Sequence, residues 1–440
     1  MKMYKILGKN FNKEGFVKYS NNTIWLFIDR IVRLSIGLFV SVWVTRYLGP
    51  NDFGLLSFSQ SFVGIFAVFA SLGLDRILVK HLIEKKIDSS DLLFTAFTLK
   101  LIAGFISVIL CFFSVAFFFK SEDSSLLISI ISISTIFQAF NVVDSFFQSR
   151  TLSKYVVFSN IMSFIICSIL KLLFVYFDFP LIYFALVSIV ETFLLALGYL
   201  YFFYTNKLQG KYNFKIDIAK TLLGESWPLI LSGGVLMIQA RIDQVMLKEM
   251  TNNLEVGYYS TALRLIEVFG FITVILSNSL SPAIYKAKLI SKNLYETRLL
   301  NYYRLNFILF LVIAIPIYFF SELIIEVLFG KEFIPAGILL ALMSIRLFFT
   351  NIGTARGAFI VTEKLFKFSL LAMAIGTIVN ICTNYILIPI NGAYGSIIAT
   401  IISFTVTTFL LDLFIKKGRE NLLIMSKAIL TFYKLTIKNI

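Results

Sequence analysis

The stretch NTIWLFIDRIVRLSIGLFVSVWVTRYLGPNDFGLLSFSQ, Asn22 to Gln60, decides how the rest of the chain is read. Its first part, up to Leu48, is apolar for long enough to cross a bilayer, which takes about 20 residues at roughly 1.5 Å rise each. Asp29, Arg30 and Arg33 nevertheless lie inside it. A charge at the centre of a membrane helix costs roughly 2.5–3.5 kcal/mol on insertion scales, so three together are expected to face protein or a wet cavity rather than lipid. After Leu48 the Gly-Pro-Asn-Asp cluster reads as a tight turn into a second apolar helix. The stretch is therefore a helical pair with charge on the inner face of its first member.

Outward from this pair, composition sets the class. The 440 residues are 58% hydrophobic and 15% charged, with 48 Phe, and the mean hydropathy is +0.86. Soluble domains carry far more charge, so this is a polytopic membrane protein. No apolar stretch with a small-residue cleavage site opens the sequence, and the first span is expected to direct insertion itself. Cys111, Cys167 and Cys382 all lie in apolar runs, which argues for inert thiols and against a disulfide or metal framework. A nucleotide-binding glycine loop, a metal cluster and a nucleophile triad are all missing from the sequence, so neither a cofactor nor enzymatic turnover is expected.

The first 20 residues carry Lys2, Lys5, Lys9, Lys13 and Lys18 at near-helical spacing, a basic amphipathic segment suited to an anionic membrane surface. Spans follow at about 22–48, 53–74, 92–119, 126–148, 155–177 and 181–204, with a basic loop from Asp75 to Asp91. Residues 205–220, with Lys207, Lys211, Lys215 and Lys220, are the candidate boundary between an N-terminal lobe (21–204) and a C-terminal lobe (221–415). The second lobe has spans at about 221–247, 258–282, 305–321, 335–358, 367–389 and 393–415, an amphipathic connector from Ala283 to Arg304, and a basic tail over 416–440 that suits a surface helix. The expected fold is thus an all-α polytopic membrane protein, about twelve transmembrane helices in two pseudo-symmetric six-helix lobes.

Loop charge checks that count. Lysines and arginines gather in the N-terminus, the even-numbered loops (Arg150 and Lys154 in the fourth, Lys364 and Lys367 in the tenth) and the tail, while the odd-numbered loops hold little beyond Arg46, Lys120, Lys248 and Lys331. The positive-inside rule then places both termini in the cytoplasm. Most of the net charge of +15 follows from topology, and nucleic-acid binding need not be invoked.

The halves are related. Setting Asp52, Phe53 and Gly54 on Glu255, Val256 and Gly257 aligns LGPNDFGLLS with TNNLEVGYYS and brings Trp25 beside Trp227-Pro228. Parallel six-helix repeats are a transporter architecture with substrate at the interface of the halves. An N-terminal helix with an interior Arg, then YLGPNDFGLLSFSQS, then a half-chain repeat ending in EVGYYS, resembles the polysaccharide transporter branch of the multidrug/oligosaccharidyl-lipid/polysaccharide flippase superfamily, whose best-known members are Wzx-type O-antigen flippases. The resemblance implies a twelve-helix protein of the bacterial inner membrane. It would move an undecaprenyl-pyrophosphate-linked oligosaccharide from the cytoplasmic to the outer leaflet by alternating access, with a proton or sodium gradient as the coupling partner and other polysaccharide assembly proteins as neighbours.

A pyrophosphate with a bulky glycan needs a polar, cationic path. Arg30, Arg33, Lys171, Arg241, Arg264 and Arg346 are the candidate substrate contacts, and Arg30, Arg33 and Arg241 the foremost, because a guanidinium binds phosphate bidentately. Asp29, Asp144, Glu191, Asp243 and Glu267 are the candidate ion carriers. Asp29 with Arg33 (i, i+4) and Arg264 with Glu267 (i, i+3) can each neutralise on one helix face, which leaves one cation over in the first group. Lys100, near a span end, is expected to snorkel, Lys171 to lie nearer mid-span, Arg356 to anchor its helix end, and His81 to be solvated in its loop. Ser232, Gly233 and Gly234 after Pro228 suit either a hinge or close helix packing. A drug or cation exporter would want an acidic cavity instead, and a membrane glycan polymerase would want a large outer loop with catalytic Arg or His. A capsule or teichuronic acid precursor is the open alternative cargo.

Overall fold

The computed structural model describes residues 13–118, 122–206 and 212–436. Lys2, Lys5 and Lys9 of the basic N-terminal stripe, Lys120, Lys207 and Lys211 lie outside the described residues, as do the side chains of Lys13 and Lys18. Among the described residues every regular element is helical: α1 (Lys13–Ser71), α2 (Asp75–Glu84), α3 (Ser89–Phe118), α4 (Glu122–Ile133), α5 (Asn141–Ser149), α6 (Ser153–Tyr176), α7 (Leu181–Thr205), α8 (Ile216–Met250), α9 (Asn253–Ile290), α10 (Lys292–Phe329), α11 (Pro335–Thr362), α12 (Phe366–Thr405) and α13 (Lys416–Leu430). Ten described stretches are long and apolar enough to cross a membrane. Two of them are broken, at Gly49 (φ 69°) and Gly392 (φ 54°), and the divided stretches bring the total to the twelve segments expected. Both breaks fall on residues without a Cβ, where a positive φ is tolerated. The turn anticipated over Gly49 to Asp52 is compressed into Gly49 alone, and Pro50 already belongs to the next helix, where its missing N–H costs nothing.

Two compact units emerge. The first comprises Met1–Val44 and Val63–Gly234, the second Thr45–Phe62 and Val235–Ile440. One boundary thus falls directly after the Ser232-Gly233-Gly234 run in α8. The core of the first unit gathers Leu74, Leu78, Leu92, Phe146, Phe147 and Leu222. That of the second gathers Ile284, Tyr302, Tyr303, Ile352 and Met425.

Three segments differ from their sequence reading. The basic loop at 75–91 contains helix α2, because Ile77, Leu78, His81 and Leu82 recur at helical spacing and are buried together beneath the charges that dominate the composition. The connector at 283–304 is no separate element. α9 and α10 run on to a single intervening residue, Ser291, whose hydroxyl accepts from the Leu294 amide at 3.2 Å and caps α10. The span at 126–148 is two helices separated by a 3-10 turn at Ile136–Phe140, which Gly104 of α3 allows to approach so closely that an added Cβ would lie 3.0 Å from the Ile136 Cα.

The tail helix α13 is fastened at both ends. Arg356 holds Asp412 through two bonds, at 2.9 and 2.6 Å, and Lys417 bonds Glu363 at 2.7 Å. Tyr303 donates to Asn421 at 3.0 Å, and Arg304 reaches Thr431 at 2.6 Å and the Lys434 carbonyl at 3.1 Å. Burial alone would raise the Glu363 carboxyl, but hydrogen bonds from Lys288 and Lys417 outweigh it and hold the group below the usual range. Arg356, expected to anchor its own helix end, is buried against Asp412 and holds the segment leading into the tail.

Candidate functional site

The first unit brings a polar cluster together from six helices. Asp29 and Arg33 come from α1, and one Asp29 oxygen is sealed from solvent without a hydrogen-bond partner. The Asn160 carboxamide of α6 faces Asp29 and accepts from the Tyr199 hydroxyl of α7 at 3.3 Å. Asp144 of α5 accepts from Gln148 at 2.9 Å and lies within electrostatic reach of Asp29, Asp75 and Lys100. Lys100 does not snorkel: its side chain is fully buried and ion-paired with Asp75, the first residue of α2. The physical reason is the counter-charge, since a buried ammonium is tolerated only where a carboxylate meets it. His81 likewise is buried, not solvated, with Nε2 3.2 Å from Glu225, which Lys80 also contacts at 3.2 Å.

Lys171 pairs with Glu191 at 3.6 Å between α6 and α7. Arg30 and Arg33 are exposed on α1, with the Arg33 guanidinium 5.6 Å from the Phe164 ring centre. Lys100 and Lys171 are thus each answered by a carboxylate of another helix, Asp75 having come from what the sequence presented as a loop.

In the second unit the balance is different. Arg241 of α8, Arg264 of α9 and Arg346 of α11 are all partly buried. Glu267 lies 3.6 Å from Arg241, on the neighbouring helix, while Arg264 stacks 4.5 Å from the Phe53 ring centre and feels the charges of both Glu267 and Arg241. Glu267 therefore acts on Arg264 one turn away and also meets Arg241 of another helix. Arg346 stands over Phe404 at 5.5 Å.

Asp243, two residues beyond Arg241, is 3% exposed and accepts three short hydrogen bonds: from Tyr259 at 2.7 Å, Asn384 at 2.7 Å and Thr400 at 2.7 Å. Asn384 also donates to Asn380 at 3.2 Å, and its own carbonyl oxygen is buried without a donor, as is the Ser396 hydroxyl. Oxygen atoms from α8, α9 and α12 thus converge around one carboxylate. Such a set of carboxylate, carboxamide and hydroxyl oxygens suits a hard monovalent cation or a proton, whereas softer metals prefer nitrogen and sulfur. Sequence reading found Asp243 but missed Asn380, Asn384, Thr400 and Tyr259. The signal available was the Asn380/Asn384 pair at i, i+4 inside an apolar span, where carboxamides are costly unless they bond something.

The repeat also leaves a mark in this unit. A Cβ added to Gly54 would overlap the Asn253 carbonyl, and one added to Gly257 would overlap the Pro50 carbonyl. Gly54 and Pro50 occupy the positions that the alignment of the halves assigns to Gly257 and Asn253. The two hairpins therefore touch reciprocally through equivalent atoms, the contact a local two-fold axis produces.

A helical membrane protein of this architecture has the fold of known transporters. It is similar to an inward-facing multidrug resistance MATE family transporter of the MOP superfamily (TM-score 0.71, 17% identity, 92% of this chain and 99% of that one). It is likewise similar to the lipid II flippase MurJ in an inward closed conformation (0.71, 17%, 94% and 98%). A MOP superfamily transporter from Pyrococcus furiosus, described as having a binding pocket of reversed polarity, matches at 0.61 and 16% identity over 93% and 96% of the chains. The chain belongs to the polysaccharide biosynthesis protein family, whose sequence model matches residues 20–288. No curated protein matches it.

Proposed function

We propose that this protein is a flippase that carries undecaprenyl-pyrophosphate-linked oligosaccharide, an O-antigen or similar surface-polysaccharide repeat unit, from the cytoplasmic to the outer leaflet of the bacterial inner membrane. The observation that carries the reading is the set of three partly buried arginines, Arg241, Arg264 and Arg346, against Glu267 and a carboxylate, Asp243, already occupied by three neutral donors. A planar guanidinium grips a pyrophosphate bidentately, and in a low-dielectric surround the grip strengthens. Arg30 and Arg33, exposed on α1, are the phosphate contacts offered by the first half of the chain. The six-helix halves, 21–204 and 221–415, joined by 205–220, are the bodies that exchange access, and the polyprenyl tail stays in lipid.

Energy enters through the carboxylates. Asp243, in its shell of oxygen ligands, is the foremost carrier of a proton or sodium ion, and the Asp29–Asp144 cluster is the second. The membrane potential adds to this, because each negative charge moved outward gains about 2.3 kcal/mol per 100 mV when the cytoplasm is negative.

Deleting the gene should cause lipid-linked repeat units to accumulate on the cytoplasmic face. Complementation with Arg30→Ala, Arg33→Ala or Arg241→Ala should restore export poorly, with Arg→Lys intermediate where only charge is needed. Full rescue by all three alanine variants would remove these side chains from the site.

A further inference from the structure

We infer that the first unit holds a second anion site, a pocket for a phosphoryl group where the α2–α3 and α5–α6 connections meet. A cavity of about 540 Å³ opens there. Its apolar lining comes from Leu82, Ile83, Phe146 and Leu152. The lining also carries Lys85, Arg150, Ser89, Ser149 and Thr151. Two cations beside an apolar lining match an amphiphile with a phosphorylated head: the guanidinium fork and the ammonium take the non-bridging oxygens, and the Ser89 hydroxyl adds a donor. The hydroxyls of Ser149 and Thr151 are committed to the Phe146 and Arg150 carbonyls at 2.7 and 2.6 Å.

The nearby carboxylates do not oppose this. Asp88 is turned to the amides of its own helix, bonding Ser90 at 2.9 Å and Asp91 at 3.1 Å, and Glu84 is 3.6 Å from Lys86. Both cationic turns are held in place by main-chain bonds, Lys85 to the His81 carbonyl at 3.1 Å and Leu152 to the Phe147 carbonyl at 2.9 Å. Arg150 is further steadied 4.3 Å from the Phe146 ring centre. Lys85 (φ 53°) and Thr151 (φ 57°) both adopt the left-handed conformation. For a β-branched threonine that is costly.

This pocket draws nothing from the arginines of the proposed transport path, so its test stands apart from theirs. The shared chemistry is the phosphoryl group, and its source is either an anionic lipid head or free phosphate. The full chain is purified in detergent and two bindings are measured: dioleoylphosphatidylglycerol against dioleoylphosphatidylcholine by native mass spectrometry, and radiolabelled orthophosphate by equilibrium dialysis. A lipid source predicts a phosphatidylglycerol adduct that falls about tenfold in Arg150→Ala and Lys85→Ala, survives Lys220→Ala and is partly kept in Arg150→Lys, with no saturable orthophosphate binding. A free-phosphate source predicts saturable orthophosphate binding lost in the same two variants. Both side chains project from the surface, so unchanged melting of the variants verifies their fold. Lipid and phosphate binding that is the same in the wild type and both alanine variants overturns the site.

Discussion

Asp243→Ala is expected to lower the stability of the second unit by about 3–5 kcal/mol and to abolish transport, because it strips the shared acceptor from three buried donors. Tyr259 and Asn384 point their hydrogens at that carboxylate inside a region closed to water, whereas Thr400 retains a second bond to the Ser396 carbonyl at 3.1 Å. Asp243→Asn separates the two consequences. The amide keeps the volume and one acceptor oxygen, so the unit should still fold, melting close to wild type in detergent. It removes the charge that would bind an ion, so flipping in proteoliposomes should lose its dependence on a sodium or proton gradient and slow by about 100-fold. An Asn variant that still responds to the gradient would move the coupling site elsewhere, with the Asp29–Asp144 cluster the next to test.

Gly54→Ala and Gly257→Ala should each cost about 1–3 kcal/mol, and by the same mechanism. In both cases the added methyl overlaps a backbone carbonyl, Asn253 in one and Pro50 in the other, and a carbonyl in a helix cannot swing aside as a side-chain tip can. Since the contacts are mutual, either substitution alone forces the hairpins apart, and the second should add less than the first. Thermal unfolding of the two single variants and the double variant measures this directly. Two single losses equal within error, with a sub-additive double, are the expected result. A neutral Gly257→Ala would show that the hairpins are not bound by that reciprocity.

Much of this architecture was legible because apolar run length and glycine breaks are local properties. Gly49 and Gly392 divide α1 and α12, so ten stretches read as twelve segments. The repeat was legible for a related reason: Gly54 and Gly257 are constrained by each other's backbone, and a constraint of that kind leaves matching residues at matching positions. What escaped were facts that depend on partners far away in sequence. Lys100 looks like a snorkelling lysine until Asp75 arrives from another helix, and nothing local to Glu267 shows that Arg241 of α8 also meets it. Helix α2 was hidden by composition, since its charged residues mask the buried Ile77-Leu78-His81-Leu82 face. For the candidate site the charged residues stood out singly, but the neutral ligands that give Asp243 its environment did not.

The sign of the charge surplus was legible, and its location was not. Lys100 and Lys171 of the first unit each meet a carboxylate, Asp75 and Glu191, whereas in the second Arg241 and Arg264 share Glu267 and Arg346 stands over Phe404. A phosphorylated cargo should therefore depend more steeply on those three than on Lys171, whose charge Glu191 already answers at 3.6 Å.

The most direct test is the affinity of the purified full chain, in nanodiscs, for a polyprenyl-pyrophosphate-linked sugar. Arg241→Ala should lose about tenfold or more, Arg241→Lys less, and Lys171→Ala little. Affinity that is indifferent to Arg241, Arg264 and Arg346 alike would leave the pyrophosphate without its proposed contacts.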